Sequence, residues 1–455
     1  MVDTGTHPAP AGDRADEGFF SRGRQDTDVT LDPVHVDSIA DLAAYLARHV
    51  DDADHVDVAA RIWEHFLDPL YGPDGRVVVE PIDEKRLRAA DAEDVALASP
   101  PFETVHGLDS GTINPTTFKN GLVVDLAQAA MAAVPSDLEL HRHRSLVAAT
   151  HVNDETVLLD EPWRKVDEGY GRWRVLQVPR VNRYAEGIVH ALALYLAESS
   201  HALEHADRVS DLLILDGPLY PVELLNWRER DAELRELTAE LKPRSIVENY
   251  VRLVESFVER DVPLCGFVKN PASKRVVGTL REGDREIDVP WTDDAAFFTR
   301  LLERRDDEST RDGERTHGPE GRRTDELTFT NWFVSRGGVD ATVAADGDAF
   351  GVERKLEPKL YETCFAAVYE PQTDVLYRIE TPYAFARQEE TREAITRQIL
   401  GDIAARRGPP EAVAKADELA RISAREKSSL RRKFADALDS DEVKRYDDVR
   451  WGDLE

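Results

Sequence analysis

Two aspartates stand at comparable places in otherwise apolar runs: Asp109 in ETVHGLDSGTINP (residues 103–115) and Asp216 in SDLLILDGPLYP. Each is followed at once by small turn-forming residues, Ser110-Gly111 in the first case and Gly217 in the second. Carboxylates at the ends of neighbouring strands converge on the sheet edge where open α/β sheets place ligands, and two or more of them hold hard divalent cations through oxygen. That frame suits phosphodiester hydrolysis, in which metals about 3.5 to 4 Å apart activate a water and stabilise the leaving oxygen. An Asx turn is the ordinary explanation for either aspartate alone. Two at matching strand ends favour a shared site.

A third carboxylate is expected from the helix between them, which offers Glu186 (RYAEGIVHAL) and Glu198 (LYLAESS). Twelve positions apart, they stand more than three turns from each other along one helix, so only one faces the site. Glu186, at the N-terminal end near Arg183, is the first choice, and Glu198 reads as a solvated helical glutamate. Lys269 follows the buried run LCGFV, where its ammonium can hold a phosphate as a point charge. A lysine snorkelling at a sheet edge explains it equally well. Tyr383 and Arg387, after LYRIETP, are secondary candidates.

These residues need elements to position them. VDSIADLAAYLARHV and VDVAARIWEHFLDPLYG have apolar residues at helical spacing, with Asp37 or Ser38 as N-cap and Gly72 just past the second helix. Residues 31–100 are therefore expected to form an N-terminal helical region, after a structureless tail at 1–30 rich in Gly, Pro, Asp and Arg. From there ETVHGLDS, NGLVVDLAQAAMAAV and RSLVAATHVND read as a three-stranded meander. A long helix ending in SSHALEHA, the buried strand LLILD, a helix broken at Pro243 and the strand PLCGFV follow, an α/β alternation. The stretch at about 303–325, LERRDDESTRDGERTHGPEGRRTD, is a charged, solvated insertion. Strands resume in ELTFTNWFVSRG, YETCFAAVYEP and DVLYRIETP, and mixed-charge helices extend to the end as a C-terminal extension over 401–455.

The 455 residues suit two to three domains, and with 41% hydrophobic residues the chain can bury a real core. No apolar run reaches the roughly 18 to 20 residues a bilayer crossing needs, and the first residues lack the apolar stretch of a secretion signal. A cytoplasmic protein is the expectation. Cys265 and Cys364 lie in separate apolar runs and read as small buried hydrophobes rather than a disulfide or zinc site. Asp and Glu number 89 against 58 Lys and Arg, a net charge of −31. Such acidity fits a halophilic, multimolar-salt cytosol in which the Debye length is about 3 Å or less. It carries no information about partners, because a salt-adapted nuclease can be acidic overall.

There is no phosphate-binding Walker motif and no dinucleotide glycine fingerprint. His141, His143 and His151 lack a compact zinc spacing and read as surface histidines. SSLRRKF (residues 428–434) is a basic helical patch in an acidic chain, with a solvated face as its default explanation.

In order, GLDSGT, the helix RYAEGIVHAL, LLILDGPLY, GFVKNPASKR and the strand YRIETP before a helix resemble the NurA family of archaeal DNA-end-processing nucleases. The resemblance runs from about Thr104 to Ile399, within a nuclease domain at 101–400, and lies in the order of the motifs, each weak alone. It implies a ribonuclease-H-like core, here a mixed sheet with flanking helices, while the N-terminal helices, the insertion and the C-terminal helices extend beyond the matched part. It also implies a Mn²⁺- or Mg²⁺-dependent nuclease that resects DNA 5′ to 3′, with or without single-strand endonuclease action, as a homodimeric ring docked on the hexameric ATPase HerA. Carried over by position, Asp109 and Asp216 match metal ligands, Glu186 the helical acidic ligand and Lys269 the lysine after the next strand. Family members carry a histidine in the C-terminal part of the site, whereas the last histidine here is His317. Tyr383, Arg387 or Gln388 takes that place, or the ligand is absent. The expected function is a metal-dependent DNA exonuclease at double-strand-break ends. Its rivals are a non-catalytic scaffold for the translocase and an RNA-directed or structure-specific nuclease on the same core.

Overall fold

A computed structural model describes residues 33–48, 53–283, 287–305, 321–345 and 350–444. The expected tail at 1–30, most of the charged insertion with His317, and the last part of the C-terminal extension lie outside the described residues. Helix α1 (Pro33–Ala47) belongs to a first compact unit ending at Ala53, and everything from Asp54 onward forms a second. The helix starts ahead of Asp37 and Ser38, at Pro33, because proline is tolerated at a first helical position whose N–H has no intrahelical partner.

In the second unit α2 (Ala53–Phe66) stops short of Pro69 rather than reaching Gly72. The strands β1 (Leu70–Tyr71), β2 (Val77–Pro81) and β3 (Leu87–Asp91) follow, then the short helix α3 (Ala92–Leu97). The region expected to be helical thus also supplies three strands. They are short, and β2 and β3 pair with strands far along the chain, so no local period announces them.

The next stretch holds β4 (Val105–Thr112), β5 (Thr116–Thr117), β6 (Val123–Val134), β7 (Arg144–His151), β8 (Glu161–Val166) and β9 (Gly171–Gln177). Then come α4 (Ala185–His205), β10 (Leu212–Asp216), α5 (Val222–Arg230), α6 (Ala232–Ala239), α7 (Leu241–Glu259), β11 (Leu264–Val268), α8 (Arg275–Glu282) and α9 (Asp294–Leu302). Pro243 sits in the first turn of α7, where its missing donor costs little. After the insertion are β12 (Glu326–Thr330), β13 (Phe333–Ser335), α10 (Ala341–Ala344), β14 (Thr363–Glu370), β15 (Val375–Pro382) and α11 (Tyr383–Ala386). The helices α12 (Glu389–Arg406), α13 (Glu411–Ala420) and α14 (Ala424–Leu438) close the described chain.

All these strands join one mixed sheet, in the order β1-β2-β13-β14-β15-β11-β10-β4-β6-β7-β9-β8, with β12 linking β14 to β3 and β5 on β6. The expected meander is present, β4, β6 and β7 being antiparallel neighbours. On the other side of β4 lie β10 and then β11, both parallel to it. The architecture is α/β, a mixed sheet with flanking helices. Alternation along β10 divides the core: Leu213 and Leu215 pack with α4 and α7, Leu212 and Ile214 with α12 and α13. Cys265 and Cys364 are buried free thiols on β11 and β14.

Helix α13 lies almost on the backbone of β4. A Cβ on Gly107 would fall 2.2 Å from the Ala412 carbonyl oxygen, and one on Gly111 2.3 Å from that of Ala420. Both glycines share a strand face with Asp109, so the missing side chains seat the helix beside it. Gly107→Ala should lower the unfolding free energy by about 1–3 kcal/mol through overpacking, read from denaturant midpoints. Gly187→Ala, on α4 with nothing within 4 Å of its would-be Cβ, should be neutral or stabilising by up to about 1 kcal/mol.

Candidate active site

The register of β4 and β10 decides where the two aspartates meet. Leu212 faces Val105 and Leu215 faces Leu108 across the parallel pair, so the next step sets Asp216 beside Asp109 on one face. Asp216 is the last residue of β10, and Gly217 turns the chain away at φ +131°, a conformation open to glycine. Asp109 is mid-strand: the Asp-Ser-Gly that resembles a break continues β4 and pairs with Ala130, Ala129 and Gln128 of β6. An Asx turn is excluded at Asp109. On β11, Phe267 faces Asp216, and Lys269 two residues on extends Nζ to Asp216 Oδ2 at 2.6 Å.

The helical carboxylate that reaches this point is Glu198. Ser110 Oγ donates to Glu198 Oε1 at 2.6 Å, and Tyr250 of α7 donates its hydroxyl to Oε2 at 3.3 Å. Glu198 is half-buried, not a solvated helical residue. Glu186, the expected helical ligand, is held elsewhere: its Oε1 accepts from Thr117 Oγ1 of β5 at 2.9 Å. The three turns between the two glutamates carry the first to the outer end of β5 while the second points at the end of β10. A fourth carboxylate, Asp417 of α13, acts on Asp216 through its charge. Asp417 occurs in a helix of mixed charge, so nothing in its local sequence distinguishes it.

The electrostatics record this crowding. Asp109 is pushed up to about 8, first by burial and then by the charges of Asp216 and Glu198. Glu198 rises to about 7, mainly by burial, against hydrogen bonds from Ser110 and Tyr250. Asp216 also rises through burial, opposed by Lys269 and added to by Asp417. Asp109 and Asp216 stand close enough to act on each other, and two carboxylates so placed do not both ionise readily. Among the described residues no group of three His, Cys, Asp or Glu side chains is arranged so that it could hold a metal ion. The donors are hard oxygens carrying more negative charge than Lys269 balances, which suits a divalent cation once protons leave.

A cleft of about 860 Å³ is lined by Tyr195, Pro218, Asn226, Val268, Asn270 and Arg378 among others, near in chain to Asp216 and Lys269 but with none of Asp109, Glu198, Asp216 and Lys269 in its wall. Tyr383 lies under Lys359, whose Nζ is 4.7 Å from its ring centroid, and Arg387 and Gln388 are exposed at the start of α12. The three other histidines are not surface groups: His151 is buried, His141 Nε2 accepts from Ala133 N at 2.9 Å, and His143 packs on His205. They belong to the packing around β6 and β7.

A family model described as the NurA domain matches residues 103–422. Among solved structures, the NurA nuclease from Sulfolobus solfataricus is similar at 12% identity, covering 90% of this chain and 98% of that one, with a TM-score of 0.46. Another NurA structure matches at 11% identity, over 90% and 98% of the two chains, with a TM-score of 0.41. A NurA structure with manganese matches at 13%, over 75% and 91%, with a TM-score of 0.36. No curated protein matches the chain.

Raised carboxyl groups make the metal-free fold sensitive to pH in one direction. The folded site prefers the neutral acids, so its contribution is complete below the ordinary values of 3.8 and 4.5 and is lost as pH rises through about 7 to 8. Without divalent ions, the wild type should lose stability relative to Asp109→Asn between about pH 4 and 8, by up to about 1.4 kcal/mol per pH unit for each titrating carboxyl. Parallel denaturation curves across that range check it. A difference that grows in the opposite direction would contradict the burial of Asp109.

Proposed function

The chain belongs to the NurA family, and from that premise we propose that it is a metal-dependent DNA nuclease whose site is the Asp109–Glu198–Asp216 cluster with Lys269. The observation that carries this reading is the convergence of three carboxylates and one ammonium from three strands and a helix at one end of β10. A structural ion pair needs one carboxylate for one ammonium; three carboxylates gathered beside Lys269 leave an excess of negative charge that a cation-assisted phosphodiester site can use.

Asp109, Asp216 and Glu198 would hold the cation, with Asp417 close enough to join them. Hard oxygen donors of this kind suit Mn²⁺ or Mg²⁺. Bound there, the ion supplies Lewis acidity and a water acidified toward neutral pH. The protein's own groups do the rest. Ser110 and Tyr250 fix the Glu198 carboxylate from two sides, so that its oxygens need not reorganise. Lys269, held at Asp216 by its 2.6 Å contact, would offer its ammonium to the phosphate and to the developing charge on the leaving oxygen.

The finer reading follows from the family resemblance: 5′-to-3′ resection of double-strand-break ends, a homodimeric ring, and partnership with a HerA-type translocase. At multimolar salt, phosphate contacts weaken steeply, which favours retention of DNA by enclosure. The order of the meander and the two parallel strands beside it supports the ribonuclease-H-like description. Among the described residues no helix is long and apolar enough to cross a membrane.

Purified protein with Mn²⁺ and end-labelled duplex in high salt tests the assignment. Asp109→Asn and Asp216→Asn should each lower cleavage by on the order of 10³-fold or more. Glu198→Gln should cost at least about 100-fold while Glu186→Gln stays within about twofold, because only the first touches the cluster. Absence of cleavage in the wild type, with Asp109→Ala unchanged, would instead favour the non-catalytic scaffold.

A further inference from the structure

The basic stretch SSLRRKF lies on α14, and its place in the fold separates it from an ordinary solvated face. Across the chain acids outnumber bases 89 to 58; α14, AREKSSLRRKFADAL, reverses this with five cations against two acids. Arg425, Ser429 and Arg432 share one exposed face at spacings of four and three, flanked by Ser428 and Lys433, also exposed, with Asp436 at the far end of the same stripe and Glu426, engaged by Ser423, at its near end. Lys427, Arg431, Phe434 and Leu438 form the half-buried opposite side.

Helix α14 has no fully buried residue, so core packing does not hold it. It is pinned by polar contacts. At its start Ser423 and Glu426 close a capping box, the Ser423 amide donating to Glu426 Oε2 at 2.8 Å. In the middle Arg431 Nη2 donates to the carbonyl of Ile113, just past the end of β4 and four residues on from Asp109, at 2.6 Å. Past its end Lys119 pairs with Asp441 at 2.7 Å. The preceding helix, α13, carries Asp417 at the carboxylate cluster, and the exposed Arg421 stands one turn beyond it.

We infer that the outer face of α14, with Arg421, Arg425, Arg432 and Lys433, is a docking surface for the phosphodiester backbone of nucleic acid leading to or from the site. This deepens the nuclease reading and rests on it. A row of guanidinium and ammonium groups on a fixed helix matches the regular charge of a nucleic-acid strand. The two serines between the cations add hydroxyl donors for phosphate oxygens. The stripe is narrow, so it guides a strand without requiring the broad basic surface that the rest of the chain lacks.

The test compares the full chain with Arg432→Glu/Lys433→Glu and with the milder Arg432→Gln/Lys433→Gln, on fluorescein-labelled duplex DNA in EDTA across a KCl series. Hydrolysis of thymidine 5′-(4-nitrophenyl phosphate), too short to span from the site to α14, is followed alongside with Mn²⁺. The charge reversal should weaken duplex binding at least about tenfold and lower the slope of log affinity against log salt by about 2, with the Gln pair intermediate. Turnover of the small ester should stay unchanged. An unaltered salt slope in both variants, or a preference for an acidic protein such as poly-glutamate over DNA, would overturn the inference. Should the wild type hydrolyse neither substrate, the nuclease reading fails, while the salt slope still decides whether α14 binds nucleic acid.

Discussion

One parallel register underlies the site. With Leu215 opposite Leu108, Asp216 and Asp109 stand side by side on a half-buried face, a pairing that costs electrostatic energy in the absence of a counter-charge. A shift of one residue would send Asp216 to the opposite face, among the leucines that pack on α4 and α7. The burial of Leu213 and Leu215 on one side and of Leu212 and Ile214 on the other prevents that slip. The apolar core therefore enforces an unfavourable juxtaposition of charge, which is how strain accumulates at functional places.

Three agents can relieve it. A proton is one, because burial and the charges of Asp216 and Glu198 hold Asp109 toward its neutral form well above the ordinary carboxyl range. Lys269 is the second, through its 2.6 Å contact with Asp216. A divalent cation would be the third, displacing protons as it binds.

Much of the core could be read from the sequence because its signals are local. The meander, the helix Ala185–His205, the strand ending at Asp216 and the lysine after Val268 all follow from periodicity and turn residues. The choice between Glu186 and Glu198 could not be made that way. It depends on how far α4 runs before β10 ends, and the Arg183 and N-terminal position that favoured Glu186 say nothing about that distance. Asp109 looked like a strand end because Ser110 and Gly111 resemble a turn, whereas pairing with β6 carries the strand on. The glycine there serves the close approach of α13. Asp417 and the strands β2 and β3 were hidden for a common reason: their partners lie hundreds of residues away.

The cluster draws on both layers that cover the sheet. Asp109 and Asp216 lie on the α12 and α13 face, while Ser110, on the opposite face of β4, receives Glu198 from α4. They meet because β10 stops at Asp216 while β4 continues to Thr112, leaving the outer half of β4 without a neighbour on that side. A site of this kind cannot exist on the sheet alone or with one helical layer docked. The donors at 109, 198, 216 and 269 become neighbours only after long-range pairing and helix packing are complete, so loosening of α4 would remove Glu198 while leaving the aspartates in register. Catalytic competence should thus be lost in local openings well short of global unfolding. The glycine seat beneath α13 and the hydrogen bond from Tyr250 are the contacts that keep such openings rare.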